Sequence, residues 1–182
     1  MNIQRALATD GWMEPVELEY LASLAQRSRV IVELGSWKGR STLALAQNTN
    51  GVVFAVDVWE DNPLGPMGTG MRGSIFAEFQ ENTRGLANII PIVATTANAF
   101  EAMKIAGIRP DLIFIDACHE YEAVREDILN WRSLLTPFYL LTGEHVLCGH
   151  DFVGDYPGVA KAVTELVPEF RLVNSIWTTE GA

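Results

Sequence analysis

The sequence predicts an α/β fold in which helices alternate with the strands of a doubly wound, mostly parallel sheet. The first observation is the segment from Val30 to Gln47, where an apolar, β-branched run is followed by a glycine turn and a helix-forming run. The second is that later apolar runs end in acids, at Asp57 and Asp116. Such runs are typical of buried parallel strands, whose carboxyl ends meet at one edge of a sheet.

The N-terminal part of the chain begins with a segment that we expect to be a loose arm or lid, residues 1–13. A helix is predicted from Glu14-Pro15, because proline is tolerated at the first helical position. Its apolar side is predicted to include Val16, Leu21, Leu24 and Ala25, which should pack on the sheet. The first strand is predicted to begin at Val30 and to end in the acid Glu33, before the glycine turn.

The middle of the chain carries the second and third predicted strands, Gly51–Asp57 and Ile89–Val93. Residues 59–73 between them are rich in glycine and proline, which excludes a helix or central strand. This stretch is either a substrate lid or a surface loop with no role. Pro91 lacks a backbone N–H, which places the third strand at a sheet edge. Helices are predicted over 74–83 and 97–106.

The C-terminal part of the chain continues the alternation of strands and helices. The fourth strand is predicted over Asp111–Asp116 and is followed by a helix over Tyr121–Leu135, whose apolar residues recur every three or four positions. The remaining elements are a fifth strand over His145–Gly149, a helix over Gly158–Leu166 and two short strands over 170–173 and 175–178.

Composition limits the classes of partner. The net charge of −10 argues against nucleic acid and anionic membrane partners, because a phosphate backbone must be met by Lys and Arg. No stretch approaches the roughly 18 apolar residues of a membrane span. Two cysteines do not make a disulfide framework, and we therefore expect a cytoplasmic protein. We expect one domain, residues 1–182, with an N-terminal arm and helix over 1–29. The sequence leaves open whether the chain forms a homo-oligomer.

The glycine turn discriminates between phosphate-binding motifs. A dinucleotide site has the pattern G-x-G-x-x-G, in which the second glycine lets a pyrophosphate approach the backbone. In this chain Gly35 is followed by Trp37 and Arg40 at the second and third glycine positions. The bulky indole disfavours a dinucleotide, and no Gly-Lys-Ser/Thr closes a P-loop. The remaining pattern is an acid, Glu33, followed by Gly35 and Gly39.

Asp57 ends the second strand about 20 residues after the turn, where an acid in such folds binds the hydroxyls of a ribose. NAD and S-adenosylmethionine (SAM) both carry that ribose, so Asp57 supports an adenosine site without choosing between them. The alternative is a carboxylate that only caps the strand end.

The ordered series of motifs resembles the class I SAM-dependent methyltransferases, and most closely the small, metal-dependent O-methyltransferases that act on sugar hydroxyls. The resemblance covers nearly the whole chain and rests on Gly11-Trp-Met13, Val32-Glu-Leu-Gly-Ser-Trp-Lys-Gly-Arg-Ser-Thr42, Val56-Asp-Val-Trp59, Asp111-Leu-Ile-Phe-Ile-Asp-Ala-Cys-His-Glu-Tyr121, Gly149-His-Asp151 and Pro157-Gly-Val-Ala-Lys-Ala-Val163. It implies a Rossmann-like three-layer sandwich with a seven-stranded sheet in the order 3-2-1-4-5-7-6 and helices on both faces.

The resemblance also implies roles for individual residues. The methionine end of SAM would lie against Glu33, Gly35, Ser36, Gly39 and Ser41, and the cofactor amine against Asp116. The ribose would bind Asp57, and adenine would lie near Val58, Trp59 and Thr95.

Methyl transfer to a hydroxyl needs a base, and a cation near the oxygen assists it. We expect His119 to be the base, kept neutral near pH 7 by the N-terminal end of the following helix. Asp116, His150 and Asp151 could hold Mg²⁺ or Mn²⁺. Metal-dependent members of the resembling family carry an acidic pair where this chain has His150-Asp151, and tend to have Asp at the position of Cys118. This departure moves the metal preference toward Mn, Fe or Zn, or removes metal binding altogether.

Two functions are consistent with these residues. The first is a SAM-dependent O-methyltransferase that acts on a small hydroxylated molecule such as a sugar, with His119 and Asp116 at the reacting centre. The second is a SAM- or nucleotide-binding module that has lost catalysis and serves as an accessory subunit or sensor. An NAD-dependent oxidoreductase is disfavoured by Trp37.

Overall fold

A computed structural model describes residues 1–59, 74–135 and 145–181. Its centre is a seven-stranded sheet in the order β3-β2-β1-β4-β5-β7-β6. The strands are β1 (Val30–Leu34), β2 (Val52–Asp57), β3 (Ile89–Val93), β4 (Leu112–Ile115), β5 (Val146–Gly149), β6 (Arg171–Val173) and β7 (Ile176–Thr178). Strands β1 to β5 pair in parallel, while β7 pairs antiparallel with both β5 and β6. The predicted fold class and strand order are confirmed.

Seven helices lie in the described part of the chain: α1 (Gln4–Leu7), α2 (Pro15–Ala25), α3 (Arg40–Ala46), α4 (Ser74–Asn82), α5 (Thr96–Ile105), α6 (Tyr121–Arg132) and α7 (Pro157–Leu166). Alternating strand residues face opposite sides of the sheet, which explains the two cores. Helices α1, α2 and α3 pack on one face, against residues such as Ile31 and Phe114. Helices α5, α6 and α7 pack on the other face, against residues such as Val32 and Ile113.

The expectation of a loose N-terminal arm is wrong. Ile3, Ala6 and Met13 are buried in the core formed with α2 and α3, so the segment packs tightly against the domain. Val16 was expected on the apolar side of α2 but is half exposed, while Glu17 beside it is buried. Most predicted strands and helices agree with the observed bounds to within one to three residues, and Pro91 lies in the edge strand β3.

Residues 60–73, which form nearly all of the proposed lid segment 59–73, lie outside the described residues. No helix in the described part of the chain is long and apolar enough to cross a membrane.

Candidate active site

A cavity of about 630 Å³ opens at the carboxyl ends of the parallel strands. Asp57 from the end of β2 and Asp116 from the end of β4 both line it. The two acids therefore share one hollow. Ligands in open α/β sheets bind at this edge, where strand order reverses on either side of the first strand.

Gly35 lets the ends of β1 and β4 approach each other. Its φ is +86°, and a Cβ atom built on it would lie 2.0 Å from the carbonyl oxygen of Asp116. Only glycine combines that backbone conformation with that contact. The turn after β1 is thus held directly beside Asp116 in the cavity wall.

Glu33 lies beneath this turn and is fully buried. The hydroxyl groups of Ser36 and Thr42 donate to its Oε2 atom, the former at 2.7 Å. Its Oε1 atom has no hydrogen-bond partner among the described residues. Burial raises the pKa of Glu33, although hydrogen bonds from Ser36 and Thr42 oppose the shift. Glu33 therefore fixes the shape of the turn from below and does not line the cavity.

Asp57 joins the segments that follow β1 and β2 at the cavity. Its Oδ2 atom accepts from the backbone N–H of Trp37 at 2.8 Å, and its Oδ1 atom from that of Trp59 at 2.7 Å. Both tryptophans have positive φ values, 42° and 44°. The indole N–H of Trp59 donates to the carbonyl oxygen of Trp37. This geometry places the ring of Trp59 in a core cluster with Ala55 and Phe79, so that the residue does not line the cavity.

The N-terminal segment forms one wall of the cavity, through Gly11, Trp12 and Met13. Arg40 holds it there, because its guanidinium donates to backbone carbonyl oxygens of Ala6, Leu7, Thr9 and Met13. The ring of Trp12 lies 4.6 Å from that of Trp37, centroid to centroid. Arg40 occupies the third glycine position of the dinucleotide pattern, and here it fastens this wall to the cofactor turn.

Val58 and Thr95 also line the cavity. Thr95 caps α5, since its hydroxyl oxygen accepts from the backbone N–H of Asn98. Asp127 of α6 also lines this region. Burial raises the pKa of Asp127 to about 6, against a hydrogen bond with Thr96 that lowers it.

His119 and His150 are joined by one carboxylate, that of Asp151. Asp151 Oδ2 lies 2.7 Å from His119 Nε2, and Oδ1 lies 3.1 Å from His150 Nδ1. The backbone of Asp151 has a φ of 62°, a strained conformation of the kind that clusters at active sites. The ring of His119 also stacks on Tyr156, with centroids 4.2 Å apart. This stacking and the contact with Asp151 orient the imidazole in the cavity wall.

The helix end is not the main influence on the pKa of His119. The hydrogen bond with Asp151 raises the pKa of His119, outweighing burial, which lowers it. A helix terminus contributes about 0.3–1 kcal/mol, whereas a hydrogen bond to a charged group contributes about 1.5–3 kcal/mol. The nearer carboxylate therefore dominates.

Asp116, His150 and Asp151 each offer a ligand atom, and these atoms lie within 4.8 Å of one another. Two carboxylates and an imidazole are suitable ligands for Mn²⁺ or a similar divalent ion. Burial raises the pKa of Asp116, and the neighbouring Asp151 carboxylate raises it further, against His150. A cation bound between these groups would relieve that cost, so the donor set fits a metal ion.

Glu17 of α2 contacts the other side of the His150 ring, where its Oε2 atom lies 3.2 Å from Nε2. Burial alone would raise the pKa of Glu17, but hydrogen bonds from His150 and Ser175 lower it to about 2. The buried carboxylate therefore stays ionised.

The structure brings most of the predicted site residues together. Those lining the cavity are Gly35, Ser36, Ser41, Asp57, Val58, Thr95, Asp116, His119, His150 and Asp151. Glu33, Gly39 and Trp59 lie behind its wall. Gly39 caps α3 with a φ of 89° and packs against Phe79. Sequence reasoning missed Trp12, Arg40, Asp127, Tyr156 and Glu17. Two of these could have been found from the sequence. Trp12 is an aromatic residue in the predicted N-terminal arm or lid, residues 1–13, and Arg40 lies within the glycine motif.

Comparison with known proteins agrees with this geometry. A family model described as a methyltransferase domain matches residues 32–142. A search of curated proteins finds no match.

Solved structures share the fold at low sequence identity. The O-methyltransferase from Bacillus cereus in complex with SAH has a TM-score of 0.66 at 15% identity, over 96% of this chain and 86% of that chain. TomG from Streptomyces achromogenes, in complex with SAM, has a TM-score of 0.65 at 15% identity, over 92% and 79%. CalS11, a TDP-rhamnose 3'-O-methyltransferase, has a TM-score of 0.62 at 13% identity, over 90% and 76%.

These findings confirm the resemblance to class I SAM-dependent methyltransferases. Because the matched residues 32–142 make up more than half of the chain, the protein belongs to the methyltransferase domain family.

Proposed function

We propose that the protein is a SAM-dependent methyltransferase that transfers a methyl group to a hydroxyl of a small molecule, with His119 as the general base. The observation that carries the proposal is the shared cavity, which Asp57 lines on one side and the His119–Asp151 pair on the other. SAM, when bound, supplies the activated methyl group. The similar solved structures include O-methyltransferases, one of them a TDP-rhamnose 3'-O-methyltransferase, which supports a hydroxyl acceptor.

In this proposal the residues of the cavity would have separate roles. Asp57 would accept hydrogen bonds from the ribose hydroxyls, and the turn from Gly35 to Ser41 would hold the methionine end. Asp151 already contacts Nε2 of His119, which leaves Nδ1 to accept the proton of the acceptor hydroxyl. The stacking of His119 on Tyr156 would keep that atom in place. Asp151 would then stabilise the imidazolium formed.

We further propose that Asp116, His150 and Asp151 hold a divalent cation, Mg²⁺ or Mn²⁺. Such an ion would polarise the acceptor hydroxyl and lower its pKa. The support is the spacing of the three ligand atoms and the buried carboxylate of Asp116.

Turnover tests the proposal. Calorimetry with SAH should detect binding, and a panel of small hydroxylated acceptors should be screened for SAH release with Mg²⁺, with Mn²⁺ and with EDTA. His119→Ala should lower the rate by about 10²–10⁴-fold while leaving SAH affinity within twofold. His145→Ala is the matched control, because His145 precedes β5 at the opposite end from His150. Absence of heat with SAH would refute the proposal.

A binding module without catalysis is the second candidate, favoured by His150 and Cys118 where the resembling family tends to have acids. It predicts SAH binding without turnover on any acceptor. Activity that is abolished by His119→Ala at unchanged SAH affinity would reject it.

A further inference from the structure

Glu17 has the position of a functional residue although it lies on the N-terminal helix, outside every motif. Its side chain is 1% exposed. A buried carboxylate is costly unless its oxygens are hydrogen-bonded. Both oxygens of Glu17 meet that condition, and they do so through different parts of the chain.

The Oε1 atom of Glu17 faces the turn between β6 and β7. It accepts from the amide of Asn174 at 2.9 Å, the backbone N–H of Ser175 at 3.1 Å and the hydroxyl of Ser175. These contacts fix the orientation of the carboxylate and leave the second oxygen for the interior of the site.

The Oε2 atom accepts from the backbone N–H of Glu14 at 2.7 Å and lies 3.2 Å from Nε2 of His150. The Ser175 hydroxyl lies 2.9 Å from the same nitrogen. On the far side of the ring, His150 Nδ1 lies 3.1 Å from Asp151 and 3.8 Å from Asp116. His150 therefore stands between a buried acid and the cavity.

We propose that Glu17 is a positioning residue for the candidate metal centre, holding His150 with its proton on Nε2 so that the Nδ1 lone pair faces Asp116 and Asp151. A neutral imidazole has one donor and one acceptor nitrogen, and an ionised carboxylate only accepts. With a cation bound among Asp116, Asp151 and Nδ1 of His150, the imidazole keeps one proton, and the contact with Glu17 places that proton on Nε2. Hydrogen bonds of this kind to the distal nitrogen of a metal-binding histidine orient the ring and increase metal affinity.

The inference rests on the proposed metal site, and it makes α2 part of that site. Glu17→Gln tests it, because the glutamine amide can donate to Nε2 and so favours a proton on Nδ1 instead. We expect Mn²⁺ affinity, measured by calorimetry and by electron paramagnetic resonance, to fall by about 10–100-fold. SAH affinity and the circular dichroism spectrum should stay unchanged.

Glu19→Gln is the matched control, since Glu19 is an exposed acid on the same helix. It should leave Mn²⁺ affinity within twofold of the wild type. Equal losses of Mn²⁺ affinity in the two variants would point to a general charge effect and overturn the inference. Unchanged Mn²⁺ affinity in Glu17→Gln would also overturn it.

A measurement on the wild type keeps the inference testable if Glu17→Gln does not fold. Nitrogen-15 NMR of the histidine side chains in saturating Mg²⁺ should show a proton on His150 Nε2 and none on Nδ1. A proton on Nδ1 would overturn the inference. Wild-type protein that shows the expected His150 signals but does not bind SAH would refute the proposed function and leave the role of Glu17 intact.

Discussion

Gly35→Ala offers a quantitative test of how the cofactor turn is built, because a second glycine supplies an internal reference. Gly35 and Gly85 have nearly the same φ, +86° and +85°. A Cβ atom at Gly35 would lie 2.0 Å from the Asp116 carbonyl oxygen, whereas one at Gly85 would meet nothing within 4 Å. The two substitutions therefore share the backbone strain and differ in the contact between β1 and β4.

The expected effects follow from that difference. An alanine in the left-handed region costs about 1–2 kcal/mol, which is the whole expected loss for Gly85→Ala. Overpacking against backbone adds about 1–3 kcal/mol, so Gly35→Ala should lose about 2–5 kcal/mol in all. Moving the Asp116 peptide also deforms the cavity, and we expect SAH affinity to fall by about tenfold or more, which corresponds to at least about 1.4 kcal/mol of binding free energy.

Urea unfolding followed by circular dichroism measures the first quantity, and calorimetry with SAH measures the second. Gly85→Ala should bind SAH like the wild type. Equal stability losses in the two variants would refute the steric argument. Wild-type SAH affinity in Gly35→Ala would show that the approach of the two strand ends does not shape the binding site.

Two further outcomes follow from contacts around the cavity. Burial raises the pKa of Asp127 from 3.8 to about 6, so the folded state keeps this proton to higher pH than the unfolded state. The wild type should therefore lose up to about 3 kcal/mol of stability relative to Asp127→Asn as the pH rises from about 4 to about 6. Urea unfolding of both proteins at pH 4 and pH 7.5 measures this loss. A stability difference that does not change with pH would contradict the prediction. Arg40→Ala should cost about 1.5–3 kcal/mol, expose residues 3–13 to limited proteolysis and weaken SAH binding. Lys38→Ala, which removes ion pairs to the exposed Asp10 and Glu78, should cost at most about 1 kcal/mol, and equal proteolysis of the two variants would refute the role of Arg40.

Convergence of the acidic strand ends could be predicted from sequence, because parallel strands deliver their terminal residues to one edge. Asp57 and Asp116 each end an apolar run, so their meeting in one cavity needs no long-range information beyond strand order. The position of β3 at the sheet edge could also be predicted, because Pro91 lacks a backbone N–H.

The role of Glu17 could not be read from the sequence. A glutamate on an amphipathic helix is expected to face solvent, and its partners Asn174 and Ser175 are remote in sequence and meet it only in the folded chain. The position of the Trp59 side chain could not be predicted either, for a local reason. It follows Asp57 by two residues, but with its positive φ the ring lies in the core cluster with Ala55 and Phe79 and not in the cavity wall. The upward shift of the His119 pKa could not be predicted, because the sequence shows the helix end but not the distance to Asp151.

The contacts of Asp57 bear on how a nucleoside would enter. Each carboxylate oxygen already accepts a backbone N–H, from Trp37 or Trp59, and each retains a further lone pair. The acid is thus preorganised before any ligand arrives, and the loss of side-chain rotamer entropy is met during folding rather than on association. In the proposed role of Asp57, the ribose hydroxyls of adenosine should therefore find this carboxylate already in place, with no rearrangement of the second strand end.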